Sequence, residues 1–159
     1  MNLYLIRHSI SEKSSFNKKD FERELTEEGK SLINNLAQSW KNFIDEFDII
    51  LTSPLKRAVQ TSEIISIVLQ SSQNISIENN LTPGSRTSDL IELLISNDKN
   101  NVAVVGHQPD LTIHICNFCG KSGFNLSFPA GAIAKVEFEK QVRYNSGKLI
   151  FLIPPSIKI

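Results

Sequence analysis

The chain has 159 residues, of which 40% are hydrophobic and 21% are charged, a composition typical of a folded globular domain and unlike that of a disordered chain. Lys plus Arg and Asp plus Glu each number 17, so the formal net charge is zero. A neutral chain without an apolar run long enough to span a bilayer offers no global attraction to nucleic acid or membrane. We therefore expect neither as a partner, and any specificity for anions must be local.

We predict one domain over residues 1–159, because no repeat, Pro-rich linker or low-complexity tract divides the sequence. The apolar segment Leu3–Ile6 lacks the basic region and cleavage site of a signal peptide, which favours the cytoplasm. Cys116 and Cys119 form a C-x-x-C pair with no second pair of metal ligands. We expect two reduced, partly buried thiols and no metal or cofactor.

Strands and helices are predicted to alternate along most of the chain. Short, nearly continuous apolar runs are typical of strands buried on both faces of a parallel sheet, and they occur at Asn2–Ile6, Asp48–Leu51 and Val102–Val105. Apolar residues at helical spacing lie between the runs. They predict a first helix with Thr26 as N-cap and a stripe reaching Phe47, and further helices over Leu55–Leu69, over Thr87–Ser96 and after Pro109.

The end of the sequence has a different pattern. Ala132–Phe138 and Leu149–Ile153, separated by Asn145-Ser146-Gly147, predict a closing hairpin. Alternating strands and helices followed by a pair of strands indicate an α/β sandwich, with a mostly parallel central sheet and helices on both faces.

Basic and histidine side chains directly follow the three apolar runs, in the segments Arg7-His8-Ser9, Thr52-Ser53-Pro54-Leu55-Lys56-Arg57 and Gly106-His107-Gln108-Pro109. Ligands of open α/β sheets bind beyond the carboxyl ends of the strands, where these segments would meet. We expect a helix with Ser53 as its N-cap and Pro54 as its first residue. Because side chains on a helix tilt toward its N-terminus, Arg57 would then point back toward the end of the preceding strand. Because guanidinium groups match phosphate oxygens in pairs, the sequence predicts an anion site, with phosphate as the natural ligand.

These segments resemble the motifs of the histidine phosphatase superfamily, which has the three-layer α/β/α phosphoglycerate mutase-like fold. Leu5–Ser9 resembles its RHG motif, Ser53–Thr61 its S-P-x-x-R-A-x-Q-T segment, and Val104–Pro109 its second histidine motif. Arg23–Gly29 matches the L-T-x-x-G helix start. The short length and Leu81-Thr82-Pro83-Gly84 are most similar to the SixA-type phosphohistidine phosphatases.

The resemblance implies a role for each matching residue. His8 would accept the phosphoryl group, and Arg7, Arg57 and His107 would hold its oxygens as catalytic and substrate-binding residues. Arg23 matches a basic residue near the pocket rim. Ser9 stands where the motif usually has glycine, and we include it in the substrate-binding set because it keeps the backbone close to the site.

The resemblance further implies a phosphohistidine-bearing protein of phosphotransfer or phosphocarrier type as the substrate of a monomeric enzyme. Many members of the superfamily carry a glutamate that protonates the leaving group. Here the comparable region offers only Glu78, a weak candidate, and a phosphorylated imidazole scarcely needs such an acid. The alternatives that stay open are a phosphatase of small phosphorylated metabolites, a phosphoryl mutase and a non-catalytic phosphate-binding module.

Overall fold

The computed structural model describes residues 1–44, 46–70, 74–120 and 126–155, and within these ranges six strands form one sheet. The strands, numbered β1 to β6 in chain order, span Asn2–Arg7, Ile49–Thr52, Ile75–Ile77, Asn101–Gly106, Ile133–Glu137 and Lys148–Ile153. The α-helices, numbered α1 to α4, span Glu27–Trp40, Lys56–Leu69, Thr87–Asn97 and Asp110–Cys119. Short 3-10 helices cover Asp20–Glu22 and Asn79–Leu81. None of the helices in these ranges is long and apolar enough to cross a membrane.

The sheet has the order β3-β2-β4-β1-β5-β6. Strand β2 is parallel to β3 and β4, and β4 is parallel to β1, whereas β5 and β6 are antiparallel to their neighbours. The predicted hairpin therefore forms one edge of a mostly parallel sheet. The three strands that apolar runs predicted, β2, β4 and β1, lie side by side.

Both faces of the sheet are covered by helices, as the alternation along β1 illustrates. Leu3 and Leu5 belong to a buried cluster that includes apolar residues of α3 and α4. Tyr4 and Ile6 point to the opposite face and join a second cluster with residues of α1 and α2. Because successive side chains of a strand alternate between faces, each central strand supplies both cores. The predicted three-layer α/β/α architecture is thus confirmed.

Two helix boundaries differ from the sequence prediction. Helix α1 ends at Trp40, although the apolar stripe continues to Phe47, and Ile44 and Phe47 are nevertheless buried beside Trp40. The chain turns there because it must reverse direction to enter β2. Helix α2 begins at Lys56 with Leu55 in the N-cap position, so the prediction that placed Ser53 there was wrong by two residues.

The sequence patterns do not predict β3, a half-exposed strand of three residues at the edge of the sheet. Its pairing with β2 continues in a hydrogen bond from the Glu78 amide to the Thr52 carbonyl oxygen, 2.8 Å long. A strand this short and exposed lacks the apolar run that marks a buried strand, and only the pairing with β2 defines it.

The start of α1 lies against the segment that follows β1. The Thr26 hydroxyl caps the helix by accepting the Gly29 amide proton, and the Thr26 amide donates to the Ile10 carbonyl oxygen at 3.0 Å. A Cβ atom on Gly29 would lie 2.0 Å from the same Ile10 oxygen. Glycine is therefore required at this position so that the helix can approach the backbone beyond His8.

We predict that Gly29→Ala lowers the free energy of unfolding by about 1–3 kcal/mol, the usual cost of overpacking. Elsewhere in a helix, Gly to Ala is stabilising by about 1 kcal/mol, so the sign of the change is diagnostic. Urea denaturation measures it, with Ser31→Ala at an exposed position of α1 as the control that should change stability by less than about 0.5 kcal/mol. A more stable Gly29→Ala variant would contradict the close approach.

Candidate active site

The carboxyl ends of β2, β4 and β1, which are adjacent in the sheet, bring the predicted residues together. The His8 amide donates to the Gly106 carbonyl oxygen at 3.1 Å, and the Ser53 amide donates to the Val105 carbonyl oxygen at 3.1 Å. These bonds fix the backbone just beyond each strand. The rings of His8 and His107 lie with their centroids 5.1 Å apart, so the two histidines share one site.

The tautomer of His8 follows from its hydrogen bonds. Its Nδ1 lies 2.8 Å from the Ser9 carbonyl oxygen, which can only accept, so Nδ1 carries the proton. The lone pair is therefore on Nε2, where it accepts a hydrogen bond from Arg57 Nε at 3.2 Å. Nδ1 is thus the donor and Nε2 the acceptor, and Nε2 faces the Arg57 guanidinium, which is the cationic side of the site.

His8 is held neutral at physiological pH, because its pKa is lowered to about 4. Burial is the largest cause, since it penalises the charged ring. The hydrogen bond to the Ser9 carbonyl opposes the shift, while the positive charges of Arg57, Arg7 and Arg23 add to it. The imidazole therefore keeps its Nε2 lone pair, which can attack an electrophile once it gives up the hydrogen bond from Arg57 Nε.

His107 lies on the other side of the site, with its Nε2 2.7 Å from the Ser53 hydroxyl. That hydroxyl also accepts the Leu55 amide proton at 3.4 Å, and it has both a proton and a second lone pair to offer to His107 Nε2. Burial is the largest cause that lowers the pKa of His107 to about 3, and the charge that His8 carries once it is protonated at low pH and the charge of Arg57 add to it. His107 is thus neutral at physiological pH, although a cation would hold an anion more strongly.

Three buried nitrogen atoms in these motif segments have no hydrogen-bond partner among the described residues, and they are Arg7 Nε, His107 Nδ1 and Gln108 Nε2. The rest of the Arg7 guanidinium is anchored, since Nη1 donates to the Phe128 carbonyl oxygen at 2.9 Å. Leaving a buried donor unsatisfied costs about 1–3 kcal/mol. Each of these nitrogen atoms is closed to solvent, so an acceptor oxygen of a ligand would reach it only if the neighbouring side chains moved.

Arg57, in the first turn of α2, is buried and returns toward the strand ends as predicted. Its remaining nitrogens bind Asp20, with Nη1 donating to the Asp20 carbonyl oxygen at 2.8 Å and Nη2 lying 3.0 Å from Oδ2. The Asp20 side chain is solvent-exposed, and this ion pair holds it beside the site.

Arg23 lies at the rim, where the resemblance placed it. Its Nη1 is 2.6 Å from Asp20 Oδ1, and its Nε donates to the Glu12 carbonyl oxygen at 2.7 Å. Partial burial raises the pKa of Asp20, but the hydrogen bonds and charges of Arg23 and Arg57 outweigh it and lower the pKa. Asp20 is therefore an ionised carboxylate between two guanidinium groups.

Ser9 forms two hydrogen bonds within the protein. It is fully buried, its hydroxyl donates to the Gly29 carbonyl oxygen at 2.7 Å, and its amide donates to the Thr61 hydroxyl at 3.2 Å. The Ser9 hydroxyl thus ties the segment after β1 to α1, which explains how the site accommodates serine where the motif usually has glycine. Gln60 supports the same region by accepting the Leu25 amide proton at 2.7 Å.

Glu78 and His114 form their side-chain hydrogen bonds with residues that do not belong to this network. The Glu78 carboxylate accepts a hydrogen bond from the Ser76 hydroxyl at 2.6 Å, at the end of edge strand β3. His114 is buried between α3 and α4, with Nδ1 2.8 Å from the Thr87 hydroxyl, and burial lowers its pKa to about 4.

Cys116 and Cys119 are half-buried and not disulfide-bonded. No group of three or more metal-ligating side chains suited to a metal ion occurs in the described parts of the chain.

The sequence motifs behind this geometry match a known family. The model of the histidine phosphatase superfamily (branch 1) matches residues 3–85. An uncharacterized protein of Picosynechococcus is 34% identical over 114 residues, which cover 70% of this chain and 68% of that protein. The chain therefore belongs to the histidine phosphatase superfamily, and this membership implies phosphatase activity.

Solved structures share the fold over nearly the whole chain. The protein histidine phosphatase SixA, complexed with tungstate, has a TM-score of 0.84 at 23% identity and covers 98% of this chain and 97% of its own. The alpha-ribazole phosphatase of Shigella flexneri has a TM-score of 0.74 at 18% identity, covering 100% and 99%. A phosphoserine phosphatase mutant of Entamoeba histolytica has a TM-score of 0.69 at 18% identity, covering 98% of each chain. At these identities the likeness defines the fold and leaves the substrate open.

We predict that His8 stays neutral, with its proton on Nδ1, down to about pH 4. Nitrogen NMR of the imidazole rings during a pH titration measures both properties. The chain unfolded in urea is the control, because its histidines should titrate near 6.5. A midpoint near 6.5 for His8 in the folded protein would contradict the burial described above.

We also predict that the protein loses stability as the pH falls from about 6.5 toward 4. The pKa values of His8, His107 and His114 are all lowered on folding, so the unfolded chain binds more protons in this window and protonation favours unfolding. Each histidine contributes at most about 1.4 kcal/mol per pH unit. Urea denaturation at several pH values measures the slope, and a stability that is constant from pH 6.5 to 4.5 would exclude buried neutral histidines.

Proposed function

We propose that this chain is a phosphohistidine phosphatase, which removes phosphate from a phosphorylated histidine of another protein through a phospho-His8 intermediate. The observation that carries the proposal is the neutral Nε2 of His8, 3.2 Å from Arg57 Nε, in a cluster that also holds the Arg7 guanidinium and the His107 ring. A nucleophile and a set of phosphate-binding donors therefore share one site.

The proposed reaction has two steps. His8 Nε2 attacks the phosphorus in line, and the bond to the leaving group breaks with its electron pair going to the departing atom. Water then attacks the phosphorus of phospho-His8, so that phosphate leaves and His8 recovers its lone pair. Arg7, Arg57 and His107 would donate to the phosphoryl oxygens, which carry negative charge throughout, while Arg23 adds positive charge at the rim.

The leaving group that suits this site is an imidazole. An alkoxide leaving from a phosphate ester needs a proton, but Asp20 is ionised between two arginines and Glu78 is bonded to Ser76. A phosphohistidine ring protonated on its second nitrogen leaves as neutral imidazole without a general acid. This chemistry favours a protein of phosphotransfer or phosphocarrier type as the partner.

A phosphatase of small phosphorylated metabolites is the second candidate, because an alpha-ribazole phosphatase and a phosphoserine phosphatase have the same fold. Side-by-side kcat/KM measurements on a phosphohistidine protein, phosphoserine and a sugar phosphate separate the two functions. We expect the phosphohistidine protein to be the best substrate and His8→Ala to abolish its turnover. Faster hydrolysis of the esters would reverse the order, and full activity of His8→Ala would place the chemistry elsewhere.

We predict that Arg57→Ala lowers kcat about 10²–10³-fold, by analogy with the removal of one preorganised donor from an oxyanion hole. Lys56 provides a matched control, since it is the preceding cation of α2 and forms an exposed ion pair with Glu24. Lys56→Ala should keep kcat within about threefold of the wild type, because exposed ion pairs contribute little. Equal losses in both variants would indicate a general effect of positive charge and not a phosphoryl contact of Arg57.

A further inference from the structure

The Asp20 carboxylate places a negative charge next to the cations of the site. Oδ1 lies 2.6 Å from Arg23 Nη1, and Oδ2 lies 3.0 Å from Arg57 Nη2. The Nε of the same Arg57 guanidinium donates to His8 Nε2 at 3.2 Å. A single guanidinium group therefore separates a negative charge from the nitrogen that would attack phosphorus.

Asp20 also lies at the entrance of the site. Its side chain is 53% exposed, whereas that of Arg57 is 6% exposed. One edge of the carboxylate contacts the buried guanidinium while the side chain remains accessible to solvent. A leaving group attached to a phosphoryl group between Arg57 and His107 would project toward this rim and meet the carboxylate.

This position has opposite consequences for different leaving groups. Asp20 repels a phosphate ester whose leaving group carries a carboxylate and no cation, such as 3-phosphoglycerate, because like charges at short range disfavour each other. It attracts a phosphorylated imidazole that is protonated on its second nitrogen, because that ring is a cation with an N–H donor. A nearby carboxylate also favours the protonated form of such a ring.

We propose that Asp20 determines leaving-group specificity, accepting a hydrogen bond from the protonated second nitrogen of a bound phosphohistidine and disfavouring anionic leaving groups. The inference rests on the proposed function. When His8 Nε2 attacks, the P–N bond breaks and its electron pair passes to the ring nitrogen that it leaves. The other nitrogen keeps its proton beside Asp20, so a neutral imidazole departs and no further proton donor is needed.

Asp20→Asn tests this role, since it removes the charge and nearly preserves the shape. We expect the ratio of kcat/KM for a phosphohistidine peptide to kcat/KM for 3-phosphoglycerate to fall about 10- to 100-fold, as for the loss of one charge-assisted hydrogen bond. The upper pH limit for phosphohistidine turnover should also move to lower pH, because the variant no longer favours the protonated ring.

Glu22→Gln is the matched control, because Glu22 is an exposed acid on the same 3-10 helix and its substitution makes the same change in net charge. It should leave the ratio and the pH limit unchanged. A role for Asp20 only in holding Arg57 would lower turnover of both substrates by the same factor at every pH, and that result would overturn the inference.

The experiment separates failure of this inference from failure of the proposed function. A wild-type protein that hydrolyses phosphohistidine through His8, together with an unchanged ratio in Asp20→Asn, overturns the specificity role alone. A wild-type protein with no His8-dependent phosphohistidine turnover overturns both proposals.

Discussion

The hydrogen bond from His8 Nδ1 to the Ser9 carbonyl oxygen, 2.8 Å long, is the interaction on which the chemistry of this site depends. It fixes the proton on one ring nitrogen and leaves the lone pair on the other, facing Arg57. Burial then keeps the ring neutral. If the ring rotated or took up a second proton, the cationic side of the site would have no nucleophile, whatever its affinity for phosphate.

That hydrogen bond is maintained by the packing around the segment that follows β1. Thr61 accepts the Ser9 amide proton, the Ser9 hydroxyl binds the Gly29 carbonyl oxygen, and Gly29 itself permits α1 to approach Ile10. Thr61 belongs to α2 and Gly29 to α1, and these two helices lie on the same face of the sheet. The motif residues outside the pocket thus hold the backbone that orients His8, and this explains their spacing in physical terms.

The features that the sequence predicted are those with a strong local signal. Nearly continuous apolar runs identified the three central strands, and the residues following them, His8 and His107 above all, proved to share one site. Because parallel strands end at the same edge of a sheet, the convergence followed once the strands were assigned correctly. The closing hairpin was likewise evident from its alternation and its Asn-Ser-Gly segment.

The features that the sequence did not predict depend on long-range contacts. Asp20 has no distinctive local pattern, and only the fold brings it to Arg57, 37 positions later. Nothing in the local sequence around Ser9 predicts that its hydroxyl donates to the Gly29 carbonyl oxygen. Strand β3 is too short and too exposed to produce an apolar run, and Trp40 ends α1 where the apolar pattern continues. In each case contacts between distant parts of the chain, and not local propensity, determine the conformation.

The most direct test of the account is to trap the covalent intermediate. The protein is incubated with a phosphoramidate donor, quenched separately in acid and in base, digested and examined by mass spectrometry. The account predicts a phosphate on His8 that survives base and is lost in acid, because a phosphorus–nitrogen bond to imidazole is acid-labile. A stable adduct on another residue, or steady hydrolysis of the donor with His8 never modified, would contradict it.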